Sequence, residues 1–342
     1  MDPVTGTVYV AVRISDLGYS AVLSYARDGR LNWVPPLPAE DTRGYGLSDV
    51  EVDPVTGNVY LSGNVEEFDL PTGFVIGYDA RGRYLWQQRV AHGSGWVSAS
   101  EVAVDPVRGL VYLGGSGQAG MSVFAFDRAG KRLWDATTPA ATPLVGMPVD
   151  RRSGTVYLGG QAGFLDSSDY LTVAYSPTGA QRRSRVEDTG SADEPAGLDV
   201  DSRTGSIVVA GFTANSDGAA DYWTVAYSSA GEVLWRQRYD SADQEIDRPT
   251  AIAVDGKRGI VYVTGISDSS TALGDEETVA TVAYSTSGQL LRVDRYGVAD
   301  TVNRVHDIAV DPIHGSVAVT GSTGPIYDDD SDLLTLAYPP AR

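Results

Sequence analysis

An Asp-x3-Gly unit returns seven times along this chain, at Asp2/Gly6, Asp53/Gly57, Asp105/Gly109, Asp150/Gly154, Asp201/Gly205, Asp255/Gly259 and Asp311/Gly315. Successive aspartates lie 45 to 56 residues apart. A period of that length marks one supersecondary unit that must stack on its neighbours to bury a core. Within each unit the aspartate accepts hydrogen bonds from backbone amides of its own turn. The glycine takes a positive-φ position that other residues avoid. Each turn runs into a β-branched and aromatic stretch, such as residues 58–63 or 260–265, and a glycine closes that stretch in six copies.

A second landmark follows in every copy: an apolar strand ending at Tyr25, Tyr78, Phe126, Tyr175, Tyr227, Tyr284 or Tyr338. Four residues on, the first six copies place a turn glycine. Four further on stands Trp33, Trp86, Trp134 or Trp235, with Arg183 and Arg292 in the other two copies. The pattern predicts four short strands per repeat: A before the aspartate, B after its turn, C carrying the aromatic and D carrying the tryptophan. Short strands with glycine-punctuated turns at regular spacing specify a sandwich, barrel or propeller. A four-strand period near 50 residues selects the propeller, whose radial repetition leaves only short edges.

The expectation is therefore all-β: one domain over residues 1–342, a seven-bladed β-propeller of four-stranded antiparallel blades. Strands B and C occur seven times but A and D six times each, so the first blade lacks strand A and the last lacks strand D. That arrangement suggests a chain cut from a longer array or a ring that closes imperfectly, and it makes a structural spacer a further alternative. Residues 1–6 carry neither a basic nor an apolar leader segment.

These landmarks resemble the bacterial β-propeller repeat family abbreviated SBBP, with stretches such as Asp221-Tyr-Trp-Thr-Val-Ala-Tyr-Ser228 and Ala251-Ile-Ala-Val-Asp255. The resemblance covers nearly the whole chain and implies the scaffold. It implies no catalytic residues, because the family shares a fold rather than an active-site motif.

Charge narrows the partners. With 26 basic and 45 acidic residues the net charge is −19, which repels phosphate backbones and anionic lipid. Nucleic acid and membrane insertion are excluded as modes of action, and no apolar run reaches the ~18–20 residues that span a bilayer. There is no cysteine, hence no disulfide, thiolate metal site or thiol nucleophile. Cations, proteins and neutral polysaccharides remain as partners, and the expected setting is secreted or cell-surface.

Strand alternation puts the A–B and C–D turns on one face. The longer D–A and B–C connections fall on the other, the latter at 13–20, 64–73, 161–168, 212–220, 266–276 and 322–331. Variable loops bind more often than scaffold turns. The candidate ligand-binding aromatics are Tyr19, Tyr45, Phe68, Trp96, Phe164, Tyr170 and Tyr327, whose rings could stack on sugars or anchor a protein. Strand A should be innermost, its apolar positions packing between blades. Asp49, Glu51, Glu101, Asp199 and Asp307 then face the central channel as candidate metal ligands, with Ca²⁺ the fitting ion. Asp169, Asp221 and Asp332 each stand six residues before a strand-C tyrosine and are expected to cap that strand.

Nucleophilic catalysis needs a base beside an activated nucleophile. The chain has three histidines, His92, His306 and His314, and no recognised nucleophile, phosphate-loop or dinucleotide motif. The sequence thus argues for a non-catalytic binding or scaffold module that presents its loops to a protein or polysaccharide. The alternative is a polysaccharide lyase or glycoside hydrolase using carboxylates at the channel mouth.

Overall fold

The computed structural model describes residues 2, 4–14, 19–35, 45–67, 70–90, 95–139, 141–163, 168–214, 219–241, 246–271, 274–298, 301–325 and 332–341. Every regular element among them is a β-strand. β1 (Val8–Ile14), β2 (Tyr19–Tyr25) and β3 (Leu31–Trp33) form a first antiparallel run in that order. β4 (Tyr45–Val52), β5 (Val59–Glu67), β6 (Leu70–Tyr78) and β7 (Tyr84–Val90) form the next. β8 (Val97–Asp105), β9 (Leu110–Gly117), β10 (Gly120–Asp127) and β11 (Arg132–Thr138) follow, joined to the preceding run by a parallel pairing of Thr72 with Val97.

In the fourth run, β12 (Ala141–Gly146) and β13 (Val149–Asp150) both pair with β14 (Thr155–Ala162), and β15 (Asp169–Tyr175) and β16 (Gln181–Glu187) continue it. The fifth is β17 (Asp193–Val200), β18 (Ile207–Ala214), β19 (Ala220–Tyr227) and β20 (Val233–Tyr239). The sixth is β21 (Asp247–Asp255), β22 (Ile260–Thr271), β23 (Gly274–Ser285) and β24 (Leu290–Tyr296). Its β23 meets β25 (Thr301–Val310) in parallel at Glu277 and Val302, and β26 (Val317–Pro325) and β27 (Asp332–Tyr338) complete the chain. Two compact units result: Met1–Gly160 with Val173–Arg183, and Gln161–Thr172 with Ser184–Arg342.

The turns are built as their residues dictate. In all seven Asp-x3-Gly units the glycine amide donates to the aspartate carbonyl at 2.7–2.9 Å. In six units the aspartate Oδ1 accepts the amide two residues on, as Asp53 does from Val55 at 2.9 Å and Asp201 from Arg203 at 2.9 Å, while Asp255 Oδ1 accepts from Arg258, three residues on, at 3.0 Å. Gly109, at φ +68°, illustrates why no side chain replaces it: an added Cβ would lie 2.8 Å from the Arg128 guanidinium. Asp53, Asp105 and Asp201 are buried, so an unbonded carboxylate there would be costly.

The tryptophans bind one repeat to the next. Trp86 lies between Tyr60 of its own run and Phe126 of the following one, with ring centroids 5.6 and 6.1 Å away. Its Nε1 donates to the Arg128 carbonyl at 2.9 Å. Trp33, Trp134 and Trp235 donate to Ala80, Pro177 and Thr286 in the same way, at 3.2, 2.8 and 2.9 Å. Where the sequence has Arg292, a guanidinium nitrogen donates to the Pro339 carbonyl at 2.8 Å. Around these clasps the first unit buries Val75, Val102, Leu113 and Phe124, and the second buries Val208, Tyr222, Val263 and Tyr284.

One expectation is corrected. Two B–C connections expected as irregular loops are hairpin arms: Glu67 pairs with Leu70 and Thr271 with Gly274. The run from Ser267 to Thr271 keeps extended backbone and prolongs the ladder, because backbone pairing alone suffices to carry small polar residues into a strand.

Trp86→Ala should lower unfolding stability by about 3–5 kcal/mol, since it removes an aromatic bridge and a buried hydrogen bond together. Urea titration followed by fluorescence checks this. Gly130→Ala should act in the same direction, because φ is +82° there and the new Cβ would lie 2.5 Å from the Trp86 ring.

Candidate functional site

The channel candidates have structural work that strand alternation did not reveal. Asp49 Oδ1 accepts the Val50 amide at 2.7 Å, and Oδ2 accepts the Val102 amide of β8 at 3.0 Å. Asp199 repeats this: Oδ1 accepts from Val200 at 2.7 Å, and Oδ2 from Val254 of β21 at 2.8 Å. Both carboxylates therefore tie the A strands of consecutive runs. Asp307 Oδ1 accepts the Ile308 amide at 2.8 Å. Asp49, Glu51 and Glu101 belong to the first unit, and Asp199 and Asp307 to the second.

Glu51 differs. Arg151 reaches its Oε1 at 3.8 Å, and 38% of its side-chain surface is accessible. Burial, then repulsion from Asp49, pushes its carboxyl up from the usual 4.5 to about 7, with Arg151 opposing the rise.

Among the candidate aromatics, Phe68, Phe164 and Tyr327 lie outside the described residues. For Tyr19 and Tyr45 the structure describes strand backbone but not the side chains. Tyr170 is corrected: it is 1% exposed, and its hydroxyl donates to the Phe212 and Trp223 carbonyls at 3.3 and 3.2 Å. It is framework, because its place in β15 turns the ring inward. Trp96, in the crossover between β7 and β8, is 36% exposed. The other five tryptophans each donate Nε1 to a carbonyl or, for Trp223, to Glu187. No such bond is made by Trp96 among the described residues.

Two carboxylate groups emerge that reading by strand did not assemble. Asp169, Asp188 and Asp193 bring one ligand atom each within 4.8 Å of one another, and so do Asp221, Asp240 and Asp247. They are the same site in consecutive repeats. One member precedes the strand-C tyrosine by six residues, one follows strand D, and one opens strand A eight residues before the turn aspartate. That recurrent Asp193/Asp247 spacing was the available sequence signal. Asp169 and Asp221, expected as caps on strand C, are thus also members of these groups. Burial raises Asp169, with Asp188 and Asp193 adding repulsion, and burial raises Asp247. In the second group Arg238 Nε donates to Asp221 Oδ2 at 2.7 Å, and its Nη2 lies 3.6 Å from Asp240.

Neither described histidine stands beside an activated nucleophile. His314 Nδ1 lies 2.6 Å from Asp311 in an exposed turn and holds that carboxyl at about 2. His306 Nε2 is 3.5 Å from Ser322 Oγ, both on open strand surface, a separation too long for proton transfer in the ground state. His92 lies outside the described residues.

No protein-family model and no curated protein matches the chain. Solved structures do. The WD40 domain of Neurospora crassa Pan2 is 12% identical at a TM-score of 0.55, over 87% of this chain and 82% of that one. Chaetomium thermophilum Sqt1, solved bound to the N-terminus of ribosomal protein L10, is 11% identical at 0.53, over 95% and 82%. The β-propeller domain of the Trilobed protease from Pyrococcus furiosus, which has an open velcro topology, is 11% identical at 0.50, over 87% and 85%. At such identities the likeness establishes fold alone, and that fold is of β-propeller type.

A carboxyl raised on folding binds its proton more tightly in the folded chain. Glu51 therefore favours folding most below about 4.5, and stability falls as pH rises from there through about 7. Glu51→Gln should flatten this slope and stabilise the chain at pH 8 relative to wild type, by about 1 kcal/mol after solvent screening. Urea midpoints at pH 4 and pH 8 measure the difference.

Proposed function

We propose that this chain is a non-catalytic module that binds a protein partner through its crossovers and hairpin arms, its seven strand runs serving as blades of one ring. Membership of the SBBP-type repeat group and a secreted or cell-surface setting are part of this reading. The observation that carries it is Trp96. Where the other tryptophans spend their indole nitrogen on the framework, this one is 36% exposed at a crossover. A partly exposed tryptophan with a spare donor is the side chain most often found anchoring protein interfaces.

Two considerations support the choice of partner. Sqt1, of the same fold type, is bound to a protein segment, and the WD40 domain of Pan2 is a further neighbour. The net charge of −19 favours a partner with a basic surface and speeds its encounter. The repeated aspartates of the turns are consumed by amides of their own backbone, which leaves them no part in turnover.

A photo-cross-linking residue at position 96 should yield a discrete protein adduct from the cell-envelope fraction of the source organism. The same residue at exposed position 84 should not. With the partner purified, Trp96→Ala should weaken binding at least about tenfold at unchanged melting temperature. Glycan binding with release of reducing sugar would overturn this reading in favour of a hydrolase or lyase.

A further inference from the structure

The two aspartate groups are copies of one site, and comparing them shows that one is unfinished. In the first copy, Thr189 donates its amide to Asp193 Oδ2 at 2.8 Å and its hydroxyl to Oδ1 at 2.6 Å. Thr213, which pairs with Asp193 across the ladder, meets the Thr189 hydroxyl at 2.7 Å. Both oxygens of the buried carboxylate are satisfied within the chain.

The second copy places Ser241 and Ser267 at the positions of Thr189 and Thr213, with Ser267 directly across the ladder from Asp247. The Ser241 amide donates to Asp247 Oδ2 at 2.7 Å, as before. The rest of the circuit is looser. Ser241 Oγ and Ser267 Oγ lie against the Asp247 carboxylate and oppose the rise that burial gives it, yet neither hydroxyl nor Asp247 Oδ1 closes a hydrogen bond of regular geometry. Asp247 and Ser267 are 0% exposed and Ser241 4%. Each serine lacks the methyl group of its threonine counterpart, so the copy with orphaned oxygens is also the roomier one. A native interior satisfies such groups with ordered water or an ion.

Charge separates these two occupants. Among the described residues three carboxylates meet at this point, with Arg238 beside them, and two of the carboxylates, Asp221 and Asp247, are buried. Carboxylates converging in this way are what a divalent cation draws together. Every donor is oxygen, the set that hard cations take. The mixture of carboxylate, serine hydroxyl and solvent at the exposed Asp240 suits the flexible, high coordination of Ca²⁺ better than the strict octahedron of Mg²⁺.

We propose that Asp221, Asp240 and Asp247, with Ser241 and Ser267, form a Ca²⁺ site between β19 and β21, while the equivalent group at Asp193 is closed by its threonines and binds no ion. The ion clasps two consecutive strand runs, in the place where Thr189 and Thr213 clasp the preceding pair.

Calorimetric titration of CaCl₂ into chelator-treated full-length chain should give one site per chain, with a rise in melting temperature on loading. Tb³⁺ should compete for it and luminesce on tyrosine excitation, since Tyr222 and Tyr239 adjoin two of the ligands and stack at 5.2 Å. Asp247→Asn should abolish binding. The paired substitution Ser241→Thr with Ser267→Thr installs the closed circuit, and should lose Ca²⁺ at least tenfold while raising the calcium-free melting temperature, because the buried oxygens are then satisfied within the chain. Asp193→Asn should leave the stoichiometry at one. Absence of calcium binding in the unsubstituted chain would overturn the proposal, as would binding that survives the double threonine substitution or disappears with Asp193→Asn.

Discussion

Between consecutive strand runs, a tryptophan ring is pressed onto a glycine that only a side-chain-free residue could supply. The Trp86 ring lies where the Cβ of Gly130 would be, and Trp33, Trp134 and Trp235 stand likewise over Gly82, Gly179 and Gly288. Each indole also donates to a carbonyl of that same turn. Flat contact and hydrogen bond together fix distance and angle between neighbours, which a purely apolar seam would leave loose. The glycines have φ between +75° and +86°, so the requirements of turn and clasp fall on one residue. A repeat architecture depends on such nearest-neighbour terms.

Carboxylates reinforce the same seams from the other side. Asp49 and Asp199 each take one amide from their own strand and one from the A strand of the next run. Glu187 does comparable work in the second unit, accepting from Trp223, Tyr227 and Arg236. An acidic chain thus spends much of its buried charge on backbone and guanidinium donors, where a carboxylate bond is about twice as strong as a neutral one. Glu51 and the Asp221 group stand apart because carboxylates crowd together there, which is where pH and the proposed ion would act.

The sequence made the turns and aromatics legible because each is fixed by local chemistry: positive φ demands glycine, and an aspartate beside it captures its own amides. Its reading of the candidate site was less complete. Trp96, named only as a candidate aromatic, stands in the connection between β7 and β8, while Tyr170 was taken for a loop aromatic although its ring turns inward. The hairpin arms at residues 67–70 and 271–274 were read as loops, since composition does not distinguish a solvated ladder from irregular backbone. Asp193 and Asp247 escaped notice because their partners lie in a different strand run.

The seven-fold recurrence, the strand type and the corner residues were thus determined by sequence alone, each being a property of a few adjacent residues. Tertiary structure decided which side chains share a site. A bulge five residues before the turn aspartate, at Ser48, Ser100, Ala196, Thr250 and His306, shifts the ladder by one. A one-residue shift exchanges the two faces of a strand, so the direction of every residue upstream is set by pairing with a partner strand, which the local sequence does not encode.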